Sequence, residues 1–410
     1  MLGEHVLPLT PFILFALVLP DQILTQQAEV DALCRRIAPS PVIGIDTEFV
    51  SEHTFYPELC LIQVATADEM AVIDPQEVDV LPFWKMLVEG EHTTVLHAGR
   101  EEFNFILRAV GKLPTDVFDV QIAAGLCSNE YPAAYGSVVH KFLNHKPRKG
   151  EQRTDWRKRP LTDAQIDYAL EDVRYLLDLR TTLVELLEER QRISWFEQEM
   201  ARWSQTVVEA QDRRDWRRTS GIGRLNPTGL AIVRELWHWR YEEAKQLNQP
   251  QKRILRDDLM VEIANRKTDN PERILGIRGL QRGLLKRKVD ELADCVRRGI
   301  ANPEKRNRSG RRRELPTQLN LLGQFLTPAM TTICRQAEVA ASMVGTATDF
   351  REFIAHRMGF SETEELPKLA QGWRGELVGN LIDDLLNGKK SIRIANLDDE
   401  DPLVFDDYQA

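Results

Sequence analysis

Cysteine is scarce and scattered in this 410-residue chain: Cys34, Cys60, Cys127, Cys295 and Cys334 are odd in number and never fall at a C-x-x-C spacing. That excludes a disulfide framework and a cysteine-built zinc site as expectations. Long apolar runs are missing as well. The stretch Pro11 to Leu19 is about half the ~20 residues a membrane-spanning helix needs, and Pro8, Pro11 and Pro20 punctuate it. No Lys or Arg precedes it and Glu4 does, so the reading is a cytoplasmic protein with no secretory leader and no membrane association. A glycine-rich dinucleotide fingerprint is absent after the first strand-like run, which argues against an all-parallel dinucleotide fold. An excess of positive charge is lacking too. The net charge of -9, from 54 Lys and Arg against 63 Asp and Glu, excludes a wholesale basic coat for nucleic acid.

What is present is an uneven distribution. Lys146 to Arg159 holds seven basic residues against two acids, Lys305 to Arg313 holds six and no acid, and six carboxylates fall between Asp398 and Asp407. The acidic end reads as a solvated or disordered tail. At this length the chain can hold two or three domains, each with its own core.

Four short stretches carry the chemistry: Asp46-Thr47-Glu48-Phe49, His97-Ala98-Gly99-Arg100-Glu101-Glu102, Phe118-Asp119 and Tyr168-Ala169-Leu170-Glu171-Asp172. A carboxylate pair two apart means little in so acidic a chain, so its context has to carry the inference. Pro41 to Asp46 is an apolar, β-branched run, a buried strand with the acids at its exit, which is where open α/β sheets place their sites. Between Thr162 and Leu187, Ile166, Leu170, Val173, Leu176 and Leu177 recur at helical spacing. One helical turn therefore brings Tyr168 and Asp172 onto one face. Hard carboxylate oxygens suit magnesium or manganese, and two such ions roughly 3.5 to 4 Å apart are a known device for phosphodiester hydrolysis. A tyrosine one turn before a metal-binding acid suits a water-positioning group rather than a ligand.

Leu59 to Thr66, Met70 to Ile73 and Thr93 to His97 read as further strands, the first two as a meander. This order predicts a mixed sheet with flanking helices. Arg192 to Gly223 reads as a helical connection. Asn226-Pro227 then opens a helix, followed by helices at Asp257 to Arg266, Asn270 to Leu275 and Gln281 to Arg298. A mostly helical stretch from Thr317 to Gly388 closes with a strand-like Ile392 to Ile394.

Taken with Tyr56 to Gln63, Arg153-Thr154-Asp155-Trp156 and Arg159-Pro160-Leu161, the four stretches resemble ribonuclease D over nearly the whole chain after residue 20. Leu225 to about Gly299 resembles an HRDC domain, and Pro367 to Leu386, with Gln371-Gly372-Trp373-Arg374-Gly375-Glu376-Leu377, resembles the second, divergent domain of this kind. The resemblance implies an α/β ribonuclease H-like exonuclease domain of the tyrosine-containing DEDD type, followed by two small all-α HRDC-type domains. The expected layout is an N-terminal extension (1–20), exonuclease domain (21–190), connecting helix (191–223), HRDC domain (224–300), basic linker (301–315), second HRDC-like domain (316–397) and acidic tail (398–410). The resemblance further implies a 3′-to-5′ exoribonuclease releasing 5′-mononucleotides, acting on tRNA precursors or other small structured RNAs. Two divalent metal ions, Mg2+ or Mn2+, are implied, held by Asp46, Glu48, Glu102 and Asp172, with Tyr168 orienting the water; a monomer is favoured. Glu102 departs from the family pattern, which has Asp there. Two rival readings are a DNA exonuclease and an RNA-binding protein that lost hydrolysis through this change.

Several residues keep two readings at this stage. Asp119 is either a further acid or a helix cap, and His97 either contacts the nucleotide or is a hydrogen-bonded structural residue. Phe49 and Gln63 are candidates for touching the terminal base or sugar, against core packing for Phe49. Arg153 and Trp156, in the basic approach to the catalytic helix, are candidates for the RNA backbone and for a stacked base.

Overall fold

The computed structural model describes residues 23–148, 150, 154–212, 215–281, 283–304, 317–361, 365–396 and 398–408. The 1–20 extension, Arg153 and the basic run 305–313 lie outside the described residues. Two compact units are present: residues up to 201 without 49–59, and residues 49–59 together with 202–410.

The first unit is built on a six-stranded mixed sheet. Its strands are β1 (Ile23–Leu24), β2 (Val42–Val50), β3 (Glu58–Ala65), β4 (Met70–Ile73), β5 (Thr93–Leu96) and β6 (Asp116–Asp119), in spatial order β1-β4-β3-β2-β5-β6. β3 and β4 form the antiparallel meander, while β2, β5 and β6 run parallel. Parallel neighbours need crossovers, and helices Arg100–Val110 and Leu81–Glu89 supply them. Helix Gln27–Ile37 buries Val30, Leu33 and Ile37 at helical spacing, and all three lie in the core.

Two departures from the sequence reading bear on the site. The continuous helix expected over 162–187 is two, Asp163–Arg174 and Leu176–Glu189, separated at Tyr175. Residues 49–59 bond within the second unit: Phe55 lies edge-on to Tyr241 at 5.1 Å, and its N–H donates to Asn248 at 3.2 Å. These residues lie inside the stretch 21–190 read from the sequence as the exonuclease domain.

In the second unit, Asn226 Oδ1 accepts from Gly229 N at 2.9 Å and opens helix Pro227–Gln246. That helix packs on Val289–Ala301 around Ile232, Leu236, Leu292 and Val296. Gly299 is required at their crossing, because a Cβ there would lie 2.6 Å from the Ile232 Cα. A second helical group follows from Thr317, where buried Arg374 bonds the carbonyls of Met343 and Val344. It is not all-α. Lys390–Ile394 pairs antiparallel with Leu403–Asp407, so the acidic end is a hairpin strand and not a free tail, with Lys390 Nζ holding Asp407 at 2.7 Å. Among the described residues no helix is long and apolar enough to cross a membrane.

Candidate active site

The exit of β2 is the centre of the site. Strand alternation puts Asp46 and Glu48 on one face and turns Thr47 to the other. Asp46, Glu48, His97, Tyr135, Tyr168, Asp172 and Leu176 line a cleft of ≈250 Å³. Helix Asp163–Arg174 delivers the tyrosine and the second aspartate. It starts at a capping box, with Thr162 accepting from Gln165 N and Gln165 accepting from Thr162 N. The approach to it is stapled to the sheet by Arg159, which bonds Asp74 Oδ1 at 2.7 Å, Cys60 O at 3.0 Å and Trp156 O at 2.7 Å.

The electrostatics are those of acids pressed together. Burial, followed by the charges of Glu102, Asp172 and Glu48, pushes Asp46 well above the ordinary carboxylate range. Glu48 is raised to about 8 by burial and by Asp172 and Glu102. Asp172 is raised to about 7, chiefly by burial, although the Tyr168 hydroxyl donates to it and pulls the other way. Burial and the adjoining carboxylates raise the Tyr168 phenol far above its ordinary value, so it keeps its proton and serves as a donor.

Glu102 does not line the cleft. It sits in the first turn of helix Arg100–Val110, 5% exposed, and its Oε1 accepts from Thr47 Oγ1 at 2.6 Å. Its carboxyl is raised to about 7, mainly by burial. The acid therefore stands behind β2, close enough for its charge to reach Asp46 and Glu48.

Asp119 caps helix Val120–Leu126 through Gln121 N at 2.8 Å, and its two oxygens also take the N–H groups of Ala98 and Gly99, both at 3.2 Å. It is a clamp on the His97-Ala98-Gly99 turn, where Ala98 has a left-handed φ of 56°. His97 shows its ring to the cleft while its Nε2 bonds the Ala133 carbonyl at 3.0 Å. Burial lowers its pKa, which makes it a neutral, structurally fixed edge of the site.

Two candidates are placed differently from their expectation. Gln63 is wholly buried in β3 and Trp156 is 2% exposed, so neither offers a surface to a nucleotide. Trp156 instead backs the catalytic helix, its ring 6.0 Å from that of Tyr168. Phe49 is half-buried and belongs to the second unit. Tyr135, Thr47 and Arg159 also touch this site or its approach, and motif reading gave none of them a role. Only Thr47 carried a local signal, its place between the two acids.

No ready-made cage exists: among the described residues, no three His, Cys, Asp or Glu side chains are grouped tightly enough to hold a metal ion as they stand. The donor chemistry nevertheless fits a hard divalent cation, whose positive charge would favour the ionised form of Asp46, Glu48 and Asp172 against the burial, and the neighbouring acids, that raise them.

Known proteins resemble this chain over most of its length. A 3'-5' exonuclease family model matches residues 22–188, and an HRDC domain model matches residues 229–296. A ribonuclease D of Nitrobacter hamburgensis is 31% identical over 384 residues, covering 91% of this chain and 97% of the relative. That of Sphingobium indicum is 32% identical, covering 91% and 96%. The crystal structure of Escherichia coli RNase D, described as an exoribonuclease involved in structured RNA processing, superposes with a TM-score of 0.76 at 26% identity, covering 89% of this chain and 98% of that one. With relatives 31 to 32% identical along nine-tenths of its length and both domain models matched, the chain belongs to the ribonuclease D family of 3′-to-5′ exoribonucleases.

Proposed function

We propose that the chain is a metal-dependent enzyme releasing 5′-mononucleotides from the 3′ ends of small structured RNAs, tRNA precursors foremost. The observation that carries this reading is the gathering of Asp46, Glu48 and Asp172 with the protonated Tyr168 in one cleft. Asp46, Glu48 and Asp172 would hold divalent metal, Mg2+ or Mn2+, with Glu102 as the fourth acid behind them. Such ions, when bound, neutralise phosphate charge and lower the pKa of water. Tyr168, anchored by its bond to Asp172 and backed by Trp156, holds the attacking water in line with the terminal phosphodiester. The water oxygen bonds to phosphorus as the P–O3′ bond breaks. The shortened RNA keeps a 3′-hydroxyl and the departing nucleotide keeps its 5′-phosphate. His97 and Leu176 give the cleft a neutral edge and an apolar wall, which suit a sugar and base better than a second phosphate.

The position of Glu102 outside the cleft lining favours one alternative, a protein that binds RNA with weakened hydrolysis. Time-resolved digestion of a 3′-extended tRNA and a matched single-stranded DNA, with magnesium, manganese or chelator, separates the readings. Metal-dependent shortening of the RNA from its 3′ end is the expected result. Tight RNA binding without cleavage supports the alternative, and preferential loss of the DNA rejects the substrate class.

A further inference from the structure

Helices Asp163–Arg174 and Leu176–Glu189 would be one helix but for Tyr175. In an unbroken helix the Tyr175 N–H donates to the Glu171 carbonyl four residues back. Here the hydroxyl of Tyr135 stands between those two groups. Tyr175 N–H donates to Tyr135 Oη at 3.2 Å, and Oη donates to Glu171 O at 3.4 Å. A side chain inserted into the i→i−4 ladder is a recognised cause of a helix kink.

The place of this insertion matters. It lies three residues after Asp172 and one before Leu176, and Tyr135, Asp172 and Leu176 all line the catalytic cleft. Tyr135 is itself held from the far side. Its ring is edge-on to His97, with centroids 5.6 Å apart and planes at 66°. The Ala133 carbonyl, two residues before it, takes His97 Nε2 at 3.0 Å and Gln121 Nε2 at 2.9 Å. The outer side of the same turn is tied by the Glu171 carboxylate, which accepts from Arg174 Nε at 2.9 Å and from the Tyr175 hydroxyl at 3.4 Å. A rigid path therefore runs from the His97 turn through Tyr135 to the last turn of the catalytic helix.

We propose that Tyr135 is a positioning residue for the hydrolysis: its hydroxyl holds the helix open at Tyr175 and thereby fixes the direction in which Asp172, and Tyr168 one turn earlier, meet the cleft. The proposal rests on the reading of Asp172 as a metal-holding acid given above. Tyr135→Phe is the informative variant, because it keeps the ring against His97 and removes only the wedge. The Glu171 carbonyl and Tyr175 N–H are then free to bond each other, and the two helices can join without an orphaned group.

A residue of merely structural value would lose stability and activity together. Tyr135→Phe instead loses kcat while the fold is kept. Displacing a reacting group by about 1 Å costs on the order of 100-fold in rate, and a fall in kcat of about 10- to 100-fold is expected. KM, RNA affinity measured in chelator and the thermal midpoint stay at or above wild-type quality. Tyr135→Leu, which also removes the ring, lowers the thermal midpoint and separates packing from the hydroxyl. Wild-type kcat in the Phe variant, or a kcat loss that merely follows a lowered midpoint in both variants, overturns the proposal. Asp172→Ala is assayed alongside. If it retains turnover, the reading of the site has failed; if it is inactive while Tyr135→Phe turns over normally, only the role of Tyr135 has failed.

Discussion

Glutamine and aspartate at position 102 separate the two things the buried Glu102 side chain does. Its Oε1 accepts the Thr47 hydroxyl at 2.6 Å, and its charge acts on Asp46 and Glu48. Glu102→Gln keeps the length and the acceptor but removes the charge. Glu102→Asp keeps the charge and withdraws the carboxylate by one C–C bond, about 1.5 Å. The Thr47 contact then opens toward about 4 Å, beyond hydrogen-bonding range. A hydrogen bond to a charged group contributes about 1.5 to 3 kcal/mol, so Glu102→Asp should melt roughly 3 to 12 °C below wild type. Its turnover on a 3′-extended RNA should equal or exceed wild type, since the charge survives on a side chain no longer tied to Thr47. Glu102→Gln should show the reverse. Its thermal midpoint holds or rises, because a buried charge that repels Asp46 is gone, and its kcat falls about 10- to 100-fold, the usual cost of losing a supporting group around a metal site. Differential scanning fluorimetry and single-turnover digestion on the same preparations give both numbers. Wild-type turnover in Glu102→Gln, or turnover that simply tracks the melting temperature across the two variants, would remove Glu102 from the catalytic set.

Asp46→Ala and Asp172→Ala should abolish cleavage while leaving RNA binding nearly intact, measured by gel shift in chelator; wild-type turnover in either rejects the assignment. Metal-free stability should fall with rising pH. Glu48 is raised from 4.5 to about 8, and Asp172 from 3.8 to about 7, so the folded protein binds these protons more tightly than the unfolded chain. Their stabilisation is complete below about pH 4 and is lost as pH climbs through 7 to 8. Magnesium or manganese should therefore raise the thermal midpoint more at pH 8.5 than at pH 5.5, and an equal shift at both would contradict the acid cluster. Arg159→Ala leaves Asp74, 1% exposed, buried without its charge partner, at a cost of about 3 to 5 kcal/mol; urea unfolding with a loss below 1 kcal/mol would mean that the staple is dispensable.

The strands that were legible in the sequence are those whose apolar runs are long enough to stand out. β2 announces itself through Val42 to Ile45 followed by the acids, and β3 and β4 through nearly unbroken apolar residues. β1 escaped because Ile23–Leu24 is too short for an alternation to register, and β6 because its apolar pair Val117-Phe118 is enclosed by Asp116 and Asp119; both exist because a neighbouring strand accepts them. The break at Tyr175 was invisible for a different reason. Leu176, Leu179, Leu183 and Leu187 are all buried and continue the apolar stripe past it, so periodicity predicts one helix. What interrupts it is a hydroxyl 40 residues upstream. The final hairpin was hidden by composition: the carboxylates around Leu403–Asp407 read as a solvated tail, whereas Lys390, Arg393 and the register with Ile392 and Ile394 give them partners.

The same distinction runs through the site. That Asp46, Glu48, Tyr168 and Asp172 share one cleft was legible from type and spacing: two residues apart on a strand, four apart on a helix. Trp156 and Gln63 were misjudged because an aromatic or amide side chain carries no mark of its burial. A tryptophan in a basic stretch is as consistent with a base-stacking surface as with the packed support it gives Tyr168. Spacing tells which side chains can share a face, but the direction of that face is set by residues that meet it from elsewhere. Asp119 fixes the His97 turn, His97 and Gln121 fix Ala133, Tyr135 enters the helix at Glu171, and Trp156 backs Tyr168. A catalytic carboxylate misdirected by about 1 Å is a poor one. Exchanges in this supporting layer should therefore alter turnover without touching Asp46, Glu48, Tyr168 or Asp172, whereas Glu102→Asp changes an acid within a motif and keeps its charge.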